Sequence, residues 1–103
     1  MKTAKEVLLT AADIVEKGWT QGVFATNAFG KGVPVESPEA CSFCVLGALD
    51  KAAETGIGEM AWREAEKALF RTVRSPSLPA WNDAPERTQA EVVAALREAA
   101  SKC

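Results

Sequence analysis

The chain has 103 residues, of which 48% are hydrophobic and 25% are charged, and its formal net charge is −2. This length predicts one globular domain spanning residues 1–103, which the spacing of apolar residues predicts to be helical, and the composition is that of a globular rather than a disordered chain. Because histidine is absent, histidine-based nucleophilic catalysis and histidine-ligated metal sites are excluded, and the small negative charge makes nucleic acid an unlikely partner.

The first predicted element is a helix that begins after Thr3 and ends at Gly18. Thr3 and Glu6 have the spacing of a capping box, in which each side chain accepts a hydrogen bond from the other residue's backbone N–H. Apolar residues then recur at helical intervals up to Val15, with charged residues on the opposite side. Gly18 is expected to end the helix in the left-handed conformation that glycine adopts easily.

A small β-hairpin is predicted after this helix. Residues 23–26 have a strand-like composition, residues 27–32 are rich in turn-forming residues, and residues 33–35 are expected to return as the second strand. Pro34 donates no backbone hydrogen bond, so the second strand should lie at a sheet edge. Phe29 at the tip is expected either to fold back onto a helix or to contact another protein.

Two longer helices should follow the hairpin. The second helix is expected to begin with Ser37 as N-cap and Pro38 in its first turn, and to end near residues 55–56. Gly47 in its interior costs about 1 kcal/mol relative to alanine, which suggests that a neighbouring backbone needs the space. The third helix is expected over about residues 58–74, where a Ser-Pro pair stops it.

The chain closes with a loop and a fourth helix. Residues 75–85 contain three prolines and predict a surface loop, with a short turn at residues 83–87. Thr88 and Glu91 form a second capping box, and apolar residues then recur at helical spacing towards the C-terminus. Together these elements predict a mainly α fold, a compact four-helix domain with one small β-hairpin between helices 1 and 2.

Cys41 and Cys44 lie three residues apart in the predicted second helix. At this spacing they begin an apolar stripe that continues to Ala52, so we predict that both thiols are buried and fill space between helices. Redox activity would require a thiol of lowered pKa, and a structural zinc site would require a further pair of ligands, whereas only Cys103 remains. We therefore expect no metal and no cofactor.

Three segments of the chain carry a family resemblance. They are GWTQG at residues 18–22, CVLGAL at residues 44–49 and WNDAPERTQAEVVAALREA at residues 81–99. In this combination the chain resembles a family of small proteins from bacteria and their phages whose function is unknown. The resemblance implies that Cys44, rather than the cysteine pair, belongs to the common pattern, and it implies no activity, substrate or cofactor.

Trp81, Asn82 and Asp83 have two interpretations. In the structural one, the tryptophan anchors a long loop in the core, the asparagine forms a turn and the aspartate caps a short turn. In the functional one, these residues form a ligand pocket together with Trp19 and Gln21. The structural interpretation is favoured because it accounts for all three residue types.

Arg63, Lys67, Arg71 and Arg74 form a basic line along the predicted third helix. At about 100° per residue they lie within roughly a quarter of the helix circumference. This line is either a solvated outer face or a contact for an acidic partner, such as an acidic protein or a phosphate backbone. Neighbouring glutamates dilute its charge and favour the solvated face.

Two functions of different classes are consistent with these features. The favoured one is a non-enzymatic protein-interaction or binding module, because no catalytic constellation is present. The family resemblance implies that this module is related to phages or mobile elements. The alternative is a small-ligand-binding protein or enzyme with a pocket near the Trp-Asn-Asp loop. The apolar run between Glu6 and Asp13 is too short for a secretory signal or a membrane span, so a cytoplasmic location without membrane contact is expected.

Overall fold

A computed structural model describes residues 3–53 and 59–103, with the backbone alone at Glu59. These residues form a mainly α fold with a small antiparallel sheet between the first two helices, as predicted. The helices are α1 (Ala4–Lys17), α2 (Val45–Ala53), α3 (Glu59–Val73), α4 (Leu78–Asn82) and α5 (Gln89–Ser101), and the strands are β1 (Ala25–Thr26) and β2 (Ser42–Phe43).

Helices α1 and α5 begin with the two capping boxes predicted from the sequence. Thr3 Oγ1 accepts from Glu6 N at 3.2 Å, and Thr3 N donates to Glu6 Oε1 at 2.9 Å. Thr88 and Glu91 repeat the arrangement at the start of α5. The two helices pack against each other and against α3. Their fully buried side chains include Val7, Leu8, Ala11, Val15, Val92, Leu96 and Ala99.

The start of α2 at Ser37 was predicted wrongly. Ser37 Oγ accepts from Glu39 N at 3.1 Å and so caps only an isolated turn. The chain then runs extended through β2, and α2 begins at Val45. Pairing of Ser42–Phe43 with a strand distant in sequence, together with burial of Phe43, overrides the local helix signal. The predicted end of this helix, at residues 55–56, lies outside the described residues.

Strand β1 lies between two partners. On one side Ala25 pairs with Phe43 and Thr26 pairs with Ser42 in β2. On the other side, Thr26 forms a bridge with Gly32, and Val33 N donates a 3.0 Å hydrogen bond to Ala25 O. The second strand of the predicted hairpin is therefore shorter than the expected residues 33–35. Phe43 also bridges to Trp19, so the ribbon of four short segments ends at the chain leaving α1.

Two glycines allow this ribbon to approach the helices closely. Gly18 ends α1 in an extended conformation with φ −175°, not in the left-handed conformation predicted, and a β-carbon there would collide with the carbonyl oxygen of Cys41. In α2, a β-carbon on Gly47 would collide with the carbonyl oxygen of Phe24. The predicted neighbour of Gly47 is therefore the backbone beside β1.

The predicted loop at residues 75–85 contains the short helix α4, which the sequence analysis missed. Ser77 Oγ accepts from Ala80 N at 3.2 Å and caps this helix, and Pro79 lies in its first turn. The predicted short turn follows it, closed by a 2.9 Å hydrogen bond from Arg87 N to Ala84 O. None of the helices in the described ranges is long and apolar enough to cross a membrane.

Replacing Gly47 with alanine should lower the free energy of unfolding by about 2 kcal/mol. The clash with the Phe24 carbonyl outweighs the better helix propensity of alanine. Urea denaturation measures the change. Gly32→Ala is the matched control, because a β-carbon there makes only an ordinary 3.6 Å contact with Val23. Equal stability of the two variants would show that α2 does not need this close approach.

Candidate functional site

Asn82, the last residue of α4, lies at the centre of a buried polar network and is 0% exposed. Its Oδ1 accepts from Trp19 Nε1 at 2.9 Å and from Val45 N at 3.0 Å. Its Nδ2 donates to Thr20 O at 3.2 Å and to Asp83 Oδ1 at 2.9 Å. The carboxamide thus uses both acceptor positions and both donor hydrogens. Two obligate donors face Oδ1, which fixes the orientation of the amide.

The Asn82 network also caps the N-terminus of α2. Val45 N belongs to the first turn of this helix, where backbone N–H groups have no partner within the helix. Asn82 supplies one acceptor, and Cys44 Sγ supplies another by accepting from Gly47 N at 3.3 Å. The buried helix start is therefore satisfied by one residue next to it in sequence and by another from a distant helix.

Further hydrogen bonds connect the segment after α1 to the end of α4. Gln21 Nε2 donates to Asn82 O at 2.9 Å and to Ala84 O at 3.0 Å. Gly22 N donates to Asp83 Oδ1 at 3.0 Å. Trp19, Gln21, Asn82 and Asp83, four of the five residues predicted as a ligand site, are therefore brought together.

Trp81, the fifth residue of that prediction, lies apart from the network. Its half-buried ring packs against Arg87, with the guanidinium carbon 4.3 Å from the ring centroid. Arg87 Nε also donates to Trp81 O at 2.9 Å. The structural interpretation made this tryptophan the core anchor of a long loop; its ring is partly buried against the core and also packs on Arg87 in the turn before α5.

An apolar groove of about 410 Å³ opens beside Asp83. The polar groups of the network are largely bonded to one another, whereas this groove has space for a ligand. Apart from Asp83, sequence reasoning missed its lining, although the adjacent apolar residues Val23 and Phe24 were a usable signal. The lining residues are Gly22, Val23, Phe24, Cys44, Pro79 and Asp83.

The two clustered cysteines have different environments. Cys44 is buried, as predicted, and burial raises the pKa of its thiol although the Gly47 and Leu46 N–H groups act in the opposite direction. Cys41 is exposed, so the prediction that it fills space in the core was wrong. The reason is the late start of α2, which leaves Cys41 in the extended segment before β2. Cys103 is also exposed.

The residues of the basic line are all exposed, but they do not share one surface feature. Lys67 and Arg71 line a groove of about 910 Å³ between α3, the start of α1 and the end of α5, whereas Arg63 and Arg74 lie outside it. Among the side chains of residues 3–53 and 60–103, no three from cysteine, aspartate or glutamate are grouped to hold a metal ion.

Replacing Asn82 with aspartate should lower the free energy of unfolding by about 3 kcal/mol at neutral pH. A carboxylate cannot donate to Thr20 O, and it would place a negative charge against Asp83 in a buried site. Urea denaturation measures the loss. Asp83→Asn is the control, because its amide oxygen still accepts from Gly22 N. Equal free energies of unfolding for the two variants would show that the Asn82 carboxamide is not the central group of this network.

The three thiols should react with a water-soluble alkylating reagent at two distinct rates. Cys41 and Cys103 are exposed and should react rapidly in the native protein. Cys44 is buried and its raised pKa reduces the thiolate fraction, so it should be modified only when the protein unfolds. Mass spectrometry over time, with and without denaturant, identifies each site. Rapid native modification of Cys44 would contradict its burial.

Comparison with known proteins identifies a family. The profile of a family described as "Family of unknown function (DUF6197)" matches residues 1–102. No curated protein and no solved structure matches the chain. The predicted resemblance to a family of unknown function is thereby confirmed, whereas the three shared segments stay a prediction, and the match brings no activity, ligand or partner with it. The bacterial and phage distribution of the family stays a prediction.

Proposed function

The chain belongs to the family of unknown function DUF6197. From the exposed side chains of its surface, we propose that it is a non-enzymatic protein-binding module. The residues predicted as a ligand site use most of their polar atoms to hold the fold together. The observation that carries the proposal is a large aromatic side chain held in solvent. Phe29 is 93% exposed.

Phe29 is presented by a turn with a defined hydrogen-bond pattern. Asn27 Oδ1 accepts from Phe29 N at 2.9 Å and from Lys31 N at 3.0 Å. The backbone adds hydrogen bonds from Asn27 N to Lys31 O and from Gly30 N to Asn27 O, and Gly30 has the positive φ of 79° that this tight turn requires. The turn is therefore ordered although its aromatic ring makes little contact with the rest of the chain.

An ordered turn with an exposed aromatic side chain is suited to protein binding. Aromatic residues dominate the energetics of many interfaces, and a contact that is already ordered loses less conformational entropy on association. Val23 and Phe24, which are 44% and 54% exposed, are further exposed apolar side chains on the same segment of the chain. We define the protein-binding surface as Val23, Phe24 and Phe29.

Replacing Phe29 with serine should strongly reduce partner capture without changing the fold. The immobilised chain would be incubated with lysate of the organism that encodes it, and bound proteins would be quantified by mass spectrometry. Loss of an aromatic anchor should reduce capture by about tenfold or more. Asn27→Ala should give a smaller loss, because it loosens the turn but keeps the ring.

Met60→Ser is the matched control, since Met60 is 70% exposed on α3 and lies outside the protein-binding surface. It should retain full capture. Circular dichroism should match the wild type for all three variants, and the thermal midpoint should match it for the Phe29→Ser and Met60→Ser variants. Equal capture by the Phe29→Ser and Met60→Ser variants, or no protein held specifically by the wild type, would refute the proposal.

A small-ligand-binding protein or enzyme is the second candidate, supported by the groove beside Asp83. Its volume of about 410 Å³ falls within the range of ligand pockets, and its lining is mostly apolar. A metabolite that raises the thermal midpoint of the wild type but not of a Phe24→Ser variant would favour this function. For either function we propose a cytoplasmic location, because exposed free thiols persist in a reducing compartment.

A further inference from the structure

A second surface of the molecule concentrates positive charge. Lys5 on α1, Lys67 and Arg71 on α3, and Lys102 after α5 line the groove of about 910 Å³, together with one acidic side chain, Glu64. In a chain whose net charge is −2, four cationic side chains at one groove form a local field of the opposite sign. We call this feature the basic groove.

Most of this charge is not neutralised within the fold. Among the described residues, Lys5, Lys67 and Arg71 form no ion pair, whereas Lys102 pairs with Glu98 at 3.2 Å. Lys67 and Arg71 are four residues apart on one helix, where like charges are destabilising by a few tenths of a kcal/mol, about 0.2–0.5. This arrangement does not stabilise α3, which favours a role in binding.

We infer that the basic groove binds an acidic segment of a partner protein. The carboxylates of such a segment would pair with Lys67, Arg71 and Lys5, and its backbone would lie over the methyl groups of Ala4 and Ala68, which also line the groove. The backbone N–H groups at the start of α1 are partly occupied by the Thr3–Glu6 capping box. The cationic side chains therefore supply most of the attraction.

A peptide fits this groove better than a nucleic acid does. Among the described residues, the lining contains no aromatic side chain on which a base would stack. Glu64 can accept a hydrogen bond from the backbone N–H of a bound peptide. The small negative net charge of the chain further opposes association with a polyanion of high charge density.

This inference rests on the proposed protein-binding role but uses no residue of the protein-binding surface around Phe29. The basic groove is lined by α1, α3 and the end of α5, whereas Phe29 lies on the turn after β1. Either proposal, the one for Phe29 or the one for the basic groove, can therefore be refuted without refuting the other. A Phe29→Ser variant that captures as much protein as the wild type would refute the proposal for Phe29, whereas binding of acidic peptides, which does not involve Phe29, tests the basic groove alone.

Fluorescence anisotropy with a short labelled peptide rich in glutamate and aspartate tests the basic groove. The wild type should bind it, and affinity should fall as salt is raised because the contacts are ionic. Lys67→Glu combined with Arg71→Glu should weaken binding by about tenfold or more. Lys67→Gln combined with Arg71→Gln, which removes charge without reversing it, should give a smaller loss and serves if the reversed variant is unstable.

Lys17→Glu combined with Lys31→Glu is the matched control, because it makes the same change in net charge at exposed positions outside the basic groove. It should retain binding within about twofold, since distant surface charges are screened at physiological salt. Equal losses in the two reversed variants, or no binding by the wild type, would overturn the inference. Tighter binding of a single-stranded oligonucleotide of equal charge would overturn it in favour of nucleic acid.

Discussion

The hydrogen bonds of the Asn82 carboxamide are the interaction on which the rest of the structure depends. A buried amide with an unmet donor or acceptor destabilises a protein by about 1–3 kcal/mol. Here all four positions are met, by Trp19, Thr20, Val45 and Asp83. One side chain thereby holds the end of α4 against the segment after α1 and against the start of α2, and so positions the apolar groove between them.

Features encoded by neighbouring residues were predictable from the sequence, and features that depend on distant partners were not. The capping boxes at Thr3 and Thr88 use residues three apart, and both helices begin where predicted. The start of α2 depends on the pairing of β2 with β1, which no local pattern near Ser37 contains. Gly47 was an intermediate case, because its cost in a helix signalled a close neighbour without identifying Phe24.

The candidate functional residues were also predicted only in part. The sequence analysis predicted that Trp19, Gln21, Asn82 and Asp83 lie together, and in the structure they do. It did not predict the hydrogen bond from Val45 N to Asn82 Oδ1, because this contact depends on how three separate segments fold together. The basic line was read from one helix. The packing of α3 against α1 and α5 places Lys67 and Arg71 in one groove with Lys5 and Lys102. The other two arginines of the basic line lie outside this groove, which the sequence of α3 alone could not predict.

The ribbon of four short segments has a consequence for self-association. One edge, at Thr20, is occupied by the Asn82 amide, and the other edge ends at Gly32 and Val33, directly before Pro34. Short edges interrupted by proline offer little template for another chain to extend the sheet. The molecule can therefore display an exposed phenylalanine beside its strands with a reduced risk of growing into β-sheet aggregates.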